Sequence, residues 1–175
     1  MLPFLDRGHQ VVGIEPAHEP VERLRELLTS RGQTANIIEG FIQDASIPGA
    51  FDVVIFSWLC YGYIPQASRR IAVLKRVAEH LRPGGRIVIN YIATEPSRRE
   101  RMIQLTRWAA KLSRSDWTPE NNDVLRNERN NAGERVLAYE HWFVPGEIDQ
   151  EARNAGLRVI SSEGPVGIPV AVLAL

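Results

Sequence analysis

Residues 51–91 constrain the fold more than any other stretch: an apolar run, a helical repeat, a Pro-Gly-Gly break and a second apolar run. Val53-Val54-Ile55-Phe56 is β-branched or aromatic throughout, as a strand covered on both faces requires. From Ala67 to Leu81 the period changes. Ile71, Leu74, Ala78 and Leu81 recur at steps of three and four and so share one helical face. Pro65 precedes that helix, and Pro83-Gly84-Gly85 ends it, because proline cannot continue the ladder and glycine tolerates positive φ. Ile87–Ile92 follows as a second buried strand. Two wholly apolar strands joined through a helix form a right-handed parallel crossover, which sets the fold class as α/β.

The flanking segments extend the pattern. Met1–Arg7 reads as the end of a helix stopped at Gly8, and Val11–Ile14 as a strand ending in Glu15 before Pro16. Pro20–Ser30 is a helix with Val21, Leu24, Leu27 and Leu28 inward, and Ala35–Glu39 is a short strand ahead of Asp44-Ala45. Beyond the second apolar strand, Ser97 and Glu100 form a capping box for an amphipathic helix marked by Met102, Leu105, Ala109 and Leu112. Residues 121–133 are polar and turn-rich, an exposed loop or hairpin tip. Val136–Phe143 reads as a strand with Leu137, Tyr139, His141 and Phe143 on one face, and Pro145–Ala155 as a helix. Leu157–Ser161 and Val170–Leu175 close the chain as an antiparallel pair.

These motifs resemble the class I S-adenosylmethionine-dependent methyltransferases. The family's fourth strand opens with Phe-Asp-x-Val, as at Phe51–Val54, and a Leu-x-Pro-Gly-Gly turn like Leu81–Gly85 leads into its fifth. Its second strand ends in an acidic residue, as Gly8–Glu15 does, and Tyr139-Glu-His-Trp-Phe with the final strands matches its closing elements. The resemblance covers about four fifths of the chain and is weakest over Pro96–Arg135. It implies a Rossmann-like, mostly parallel sheet with a C-terminal antiparallel pair, forming one domain over residues 1–175 with a cap or lid at about 96–135. S-adenosylmethionine is the implied cofactor. Glu15 and Pro16 would face its ribose, since a carboxylate offers two acceptors to a vicinal diol. Asp44 and Ala45 would meet the adenine, and the backbone at Ser57 the methionine part. Trp58, Tyr61 and Tyr91 would line the acceptor pocket. His141 is the weak candidate for a general base, against a structural role for a histidine among apolar neighbours. Cys60, with no histidine near it in sequence, reads as a buried filler.

Composition narrows the reading further. With 21 basic and 21 acidic residues the net charge is zero, which gives no global attraction to nucleic acid or anionic lipid. The stretch from Ser97 to Arg114 holds six basic residues and one acidic one, a solvated face in the ordinary reading and an RNA-phosphate contact in the sharper one. One cysteine fits a reducing compartment, and no apolar run reaches the roughly 20 residues of a membrane span, so a cytoplasmic location is expected. The sequence shows no metal-ligand cluster. A small-molecule acceptor is the expected partner.

The family's glycine-rich turn should lie about 20 residues before the acidic position, and Glu15 leaves no room for it. The first strand is therefore expected to be missing from residues 1–175. The competing reading is a non-catalytic relic or partner-binding module that has lost the cofactor loop; a nucleotide-dependent dehydrogenase ranks below both. Without that strand the chain should melt early and bind the cofactor weakly, while restoring about 30–50 upstream residues should recover both properties. Thermal melts of both forms with and without S-adenosylmethionine test this, because a ligand that binds only the folded state raises the melting temperature. A cooperative melt of residues 1–175 with a clear cofactor shift contradicts it.

Overall fold

The computed structural model describes residues 1–95, 100–114, 117–129, 133–164 and 167–175, with backbone only at 100–103. The chain divides into two compact units, Met1–Pro48 and Gly49–Leu175, each taken by itself here. In the first, α1 (Leu2–Leu5) leads to β1 (Val12–Glu15), α2 (His18–Ser30) and β2 (Asn36–Glu39). The strands β1 and β2 are parallel, in register from Val12 opposite Asn36 to Glu15 opposite Glu39. Val21 and Leu28 of α2 are buried, as their seven-residue spacing on one stripe predicts. Leu27, expected inward, is 41% exposed because it lies off that stripe.

The second unit carries β3 (Phe51–Phe56), a 3₁₀ turn (Cys60–Tyr63), α3 (Ala67–Ala78) and β4 (Leu81–Asn90). It continues with α4 (Glu100–Leu112), β5 (Asp123–Arg129), β6 (Arg135–His141), α5 (Glu147–Asn154), β7 (Arg158–Glu163) and β8 (Val170–Ala174). The sheet order is β3-β4-β8-β7, with β3 and β4 parallel and β8 antiparallel to both its neighbours. This is the expected α/β architecture with its closing antiparallel pair. Val73, Leu74 and Val77 of α3, Ile87 and Ile89 of β4, Leu173 of β8 and Ala152 of α5 make the buried core.

Several local expectations change. Pro83-Gly84-Gly85 lies inside β4 rather than before it: Phe51 pairs with Leu81, then the register jumps so that Val53 pairs with Arg86. The glycines make that bulge possible. Gly84 has φ +81°, and a Cβ on Gly85 would lie 2.9 Å from the Arg82 carbonyl oxygen and 3.2 Å from those of Phe51 and Asp52. Residues 121–133, expected as an exposed loop or hairpin tip, belong in part to a hairpin: Asp123–Arg129 form β5 and pair with β6 from Asp123 opposite His141 to Arg129 opposite Arg135. The polar run of Arg126–Arg129, exposed at every position, hides the alternation that would mark a strand. On α4 the stripe faces outward. Leu105, Trp108 and Leu112 are exposed and Ala110, not Ala109, is buried, because periodicity says which residues share a face but not whether anything covers it. Ser97 lies outside the described residues. Cys60 is exposed rather than a buried filler, since it opens the 3₁₀ turn on the solvent side. Among the described residues no helix is long and apolar enough to cross a membrane.

Gly85→Ala should lower stability by about 1–3 kcal/mol, since backbone oxygens rather than movable side chains fill the space. Urea unfolding measures it; an unchanged midpoint would show that the bulge opens freely.

Candidate cofactor and acceptor site

In the first unit, β1 delivers Glu15 to its carboxyl end, where ligands bind in sheets of this class. One oxygen, Oε1, accepts the Ala17 backbone N–H at 2.9 Å, which pins the carboxylate in place. The other takes no hydrogen bond from the described residues. A fixed carboxylate with one open oxygen fits a sugar hydroxyl, and on that chemistry Glu15 suits the ribose of a nucleoside cofactor. Pro16 follows on the surface. Neighbouring β2 ends opposite at Glu39, whose carboxylate lies 3.1 Å from His18 Nδ1 and so is engaged. A turn over Phe41–Ala45 then presents an exposed Asp44 side chain and a buried Ala45, both backbone amides bonding the Phe41 carbonyl. Folding thus brings Glu15 and the Asp44 turn to the same end of the β1–β2 ladder.

In the second unit, Phe56 pairs with Ile89, so Ser57 leaves β3 beside Asn90 and Tyr91. The loop is sharply bent: Trp58 and Leu59 both have positive φ, 52° and 65°, and the Leu59 N–H donates to Asn90 Oδ1 at 3.1 Å. Left-handed backbone at two bulky residues is costly and persists only where the surroundings hold it. Trp58 is left 88% exposed. Tyr61 goes the other way: it is fully buried, and its hydroxyl donates to Glu151 Oε2 at 2.6 Å. Burial first, then the Glu151 charge, pushes its ionisation far up. Tyr91 is half-buried, its ring edge-on to Phe143 and its hydroxyl 3.1 Å from Ser162 Oγ.

His141 lies in a buried charge network that sequence reading did not foresee. Its Nδ1 is 2.7 Å from Asp123 Oδ1 and its Nε2 is 2.8 Å from Glu147 Oε1, so the ring serves both carboxylates best as an imidazolium. Burial opposes that charge, but the bonds to Asp123 and then Glu147 outweigh it and raise the pKa above the ordinary 6.5. For Glu147 burial is likewise overcome, by His141, and the pKa falls below 4.5. Arg70, fully buried on α3, bonds Glu151 through Nη2 at 2.7 Å and Glu120 at 3.0 Å. Glu120 also accepts the Ala67 N–H at 2.8 Å and caps the positive end of α3. Tyr139 donates to Asp123 at 2.8 Å. Glu120, Asp123 and His141 bring potential ligand atoms within 4.8 Å of one another, a cluster the linear sequence does not show. Arg70 already supplies the cation there, and His141 Nδ1 is spent on Asp123, so the group reads as ion pairs rather than a metal centre. The available signal was positional. Arg70 falls on the Leu74–Val77–Leu81 stripe and Glu151 on the Ile148–Ala152–Ala155 stripe, where a charge must be buried and paired.

A raised histidine pKa gives stability that is whole below 6.5 and is lost as pH climbs through the folded value. The lowered Glu147 gives stability present above 4.5 and lost as pH falls through its folded value. Between those limits both charges hold. The stability gap between wild type and His141→Asn should be widest near about pH 6 and narrow toward about pH 9, read from urea unfolding. A gap that does not vary with pH rules out the imidazolium. Removing Arg70 as Arg70→Met should cost roughly 3–5 kcal/mol, since it leaves Glu151 buried without its partner.

Comparison with known proteins agrees with this architecture. The family model described as "Methyltransferase domain" matches residues 1–85. The cypemycin N-terminal methyltransferase of Streptomyces sp. is 25% identical over 91% of this chain and 68% of its own. The CcbJ methyltransferase from Streptomyces caelestis superposes with TM-score 0.71 at 15% identity, over 98% of this chain and 77% of that one. The glycopeptide N-methyltransferase MtfA, solved with S-adenosylmethionine, gives 0.65 at 16% over 100% and 76%. Domain match, sequence relative and shared fold agree with the strand-end carboxylate and the Leu-Arg-Pro-Gly-Gly bulge: residues 1–85 resemble a methyltransferase domain, and the chain has the fold of solved S-adenosylmethionine-dependent methyltransferases.

Proposed function

We propose that this chain transfers the methyl group of S-adenosylmethionine to a small-molecule acceptor, with Glu15 holding the cofactor ribose and the Asp44–Ala45 turn its adenine. The observation that carries this is the Glu15 carboxylate, fixed at the end of β1 by Ala17 with one oxygen open. When bound, the cofactor supplies a methyl group already activated by a positively charged sulfur. The chain's own task is then alignment and water exclusion. In the second unit, the resemblance assigns the Ser57 backbone of the bent loop after β3 to the cofactor and Trp58 and Tyr91 to the acceptor. Tyr61, whose hydroxyl is given to Glu151, holds that loop from below rather than meeting the acceptor. His141 is no base in this arrangement, because both ring nitrogens already face carboxylates. Neutral net charge and a cap of one helix and one hairpin favour a small acceptor over nucleic acid. The relatives named for cypemycin and for a glycopeptide point the same way.

In a form with the upstream residues restored, Glu15→Ala and Asp44→Ala should each weaken S-adenosylmethionine binding by about 10- to 150-fold, the loss of roughly 1.5–3 kcal/mol of hydrogen bonding to a charged group. Calorimetry decides it. Wild-type affinity in both variants removes these residues from the site, and absent cofactor binding even with the upstream residues restored favours the relic reading instead.

A further inference from the structure

Glu140 stands out among the buried charges because its two oxygens are treated unequally. It lies on β6 and is 1% exposed. Oε2 accepts the Trp142 indole N–H at 2.9 Å and sits 3.2 Å from an Arg126 guanidinium nitrogen. Oε1 is buried and has no hydrogen-bond partner among the described residues. A buried carboxylate oxygen without a donor is costly, so its donor should come from outside the described residues, and a bound ligand can supply it.

The surroundings say what kind of donor. Gly62 of the 3₁₀ turn packs against β6 here: an added Cβ would lie 2.9 Å from the His141 carbonyl oxygen and 3.9 Å from Glu140 Cγ. The next residue, Tyr63, is half-exposed, and its hydroxyl is made harder to ionise by burial first and by Glu140 second, which places it in the carboxylate's field. On the outer side Arg126 is shared, 3.2 Å from Glu128 as well as from Glu140, and is 43% exposed. Two carboxylates, Glu128 and Glu140, thus divide one guanidinium and leave a local charge of −1 beside the Trp142 indole, within whose field Tyr63 also lies. A carboxylate with aromatic neighbours is the chemistry that takes an ammonium, a group with donors only, and a neutral hydroxyl would leave that charge uncompensated. The turn follows the carboxyl end of β3, the edge where sheets of this class take their ligands.

We propose that Glu140 binds an ammonium group on the methyl acceptor, entering past Arg126, so that the substrate is an amine-bearing small molecule. This rests on the small-molecule methyltransferase reading above. Arg126 covers the carboxylate in the free protein and yields to the ligand's own cation.

The test uses the isotope-labelled full chain titrated with benzylammonium and, separately, with benzyl alcohol. It follows the indole N–H resonance of Trp142, assigned by its loss in Trp142→Phe. Benzylammonium should move that resonance saturably, benzyl alcohol should not, and Glu140→Gln should weaken the response roughly tenfold or more. A resonance left in place by benzylammonium would mean that a buried water alone serves the oxygen, and overturns the inference. An equal response to the alcohol, or wild-type affinity in Glu140→Gln, does the same. Should Glu140→Gln fail to fold, Arg126→Ala answers the question, because uncovering the carboxylate should tighten benzylammonium several-fold and unchanged binding contradicts it. No turnover is needed. Cofactor binding without amine binding defeats this site alone, whereas amine binding without cofactor binding defeats the methyltransferase reading and leaves the site standing.

Discussion

The second unit depends on one guanidinium. Arg70 is wholly enclosed, and a cation removed from water costs several kcal/mol unless its partners are placed well. Glu151 of α5 faces it at 2.7 Å, Glu120 ahead of β5 at 3.0 Å, and the Phe143 ring lies 5.2 Å below. Those partners come from three separate stretches, so satisfying Arg70 fixes α3, α5 and the approach to the β5–β6 hairpin together. The ligand edge inherits this rigidity. Tyr61 donates into the same Glu151, and the loop it anchors is the one that holds Trp58 and Leu59 at positive φ.

Charge in this region is nearly, but not wholly, matched. Four carboxylates, Glu120, Asp123, Glu147 and Glu151, face Arg70 and an imidazolium at His141. The tyrosine hydroxyls of Tyr61 and Tyr139 supply further donors. A histidine used in this way is a brace between the hairpin and the start of α5, where Glu147 also accepts the Val144 N–H. Methyl transfer tolerates that use, because the chemistry asks the protein mainly for alignment. Glu140, next to His141 on the same strand but outside the network, is a buried carboxylate with one oxygen lacking a hydrogen-bond partner among the described residues.

The two strand ends differ in character. At β1 the carboxylate of Glu15 is held by a backbone amide. At β3 the loop is bent, aromatic and partly exposed. Solved methyltransferases share this fold at 15–16% identity, a level at which the fold is kept while side chains diverge.

Periodicity and turn chemistry determined the elements on their own. Apolar runs at Val53–Phe56 and Ile87–Ile92, the stripe through Leu74 and Ala78, and the closing strands were legible because side-chain spacing is set locally by helix and strand geometry. Glu15 was legible too, since an acidic residue ending a strand before proline is a local pattern. Only the tertiary structure decided the rest. Residues 123–129 look like a polar loop until β6 pairs with their backbone, and the outward stripe of α4 depends on what else covers it. Tyr61 reads as a pocket aromatic until Glu151, 90 positions away, takes its hydroxyl. Arg70, Glu120, Asp123 and His141 are ordinary charges in sequence, and their meaning lies in long-range distances that local pattern does not encode. Burial and pairing are properties of the folded contact set, which is why the buried charges and the open oxygen of Glu140 emerged only there.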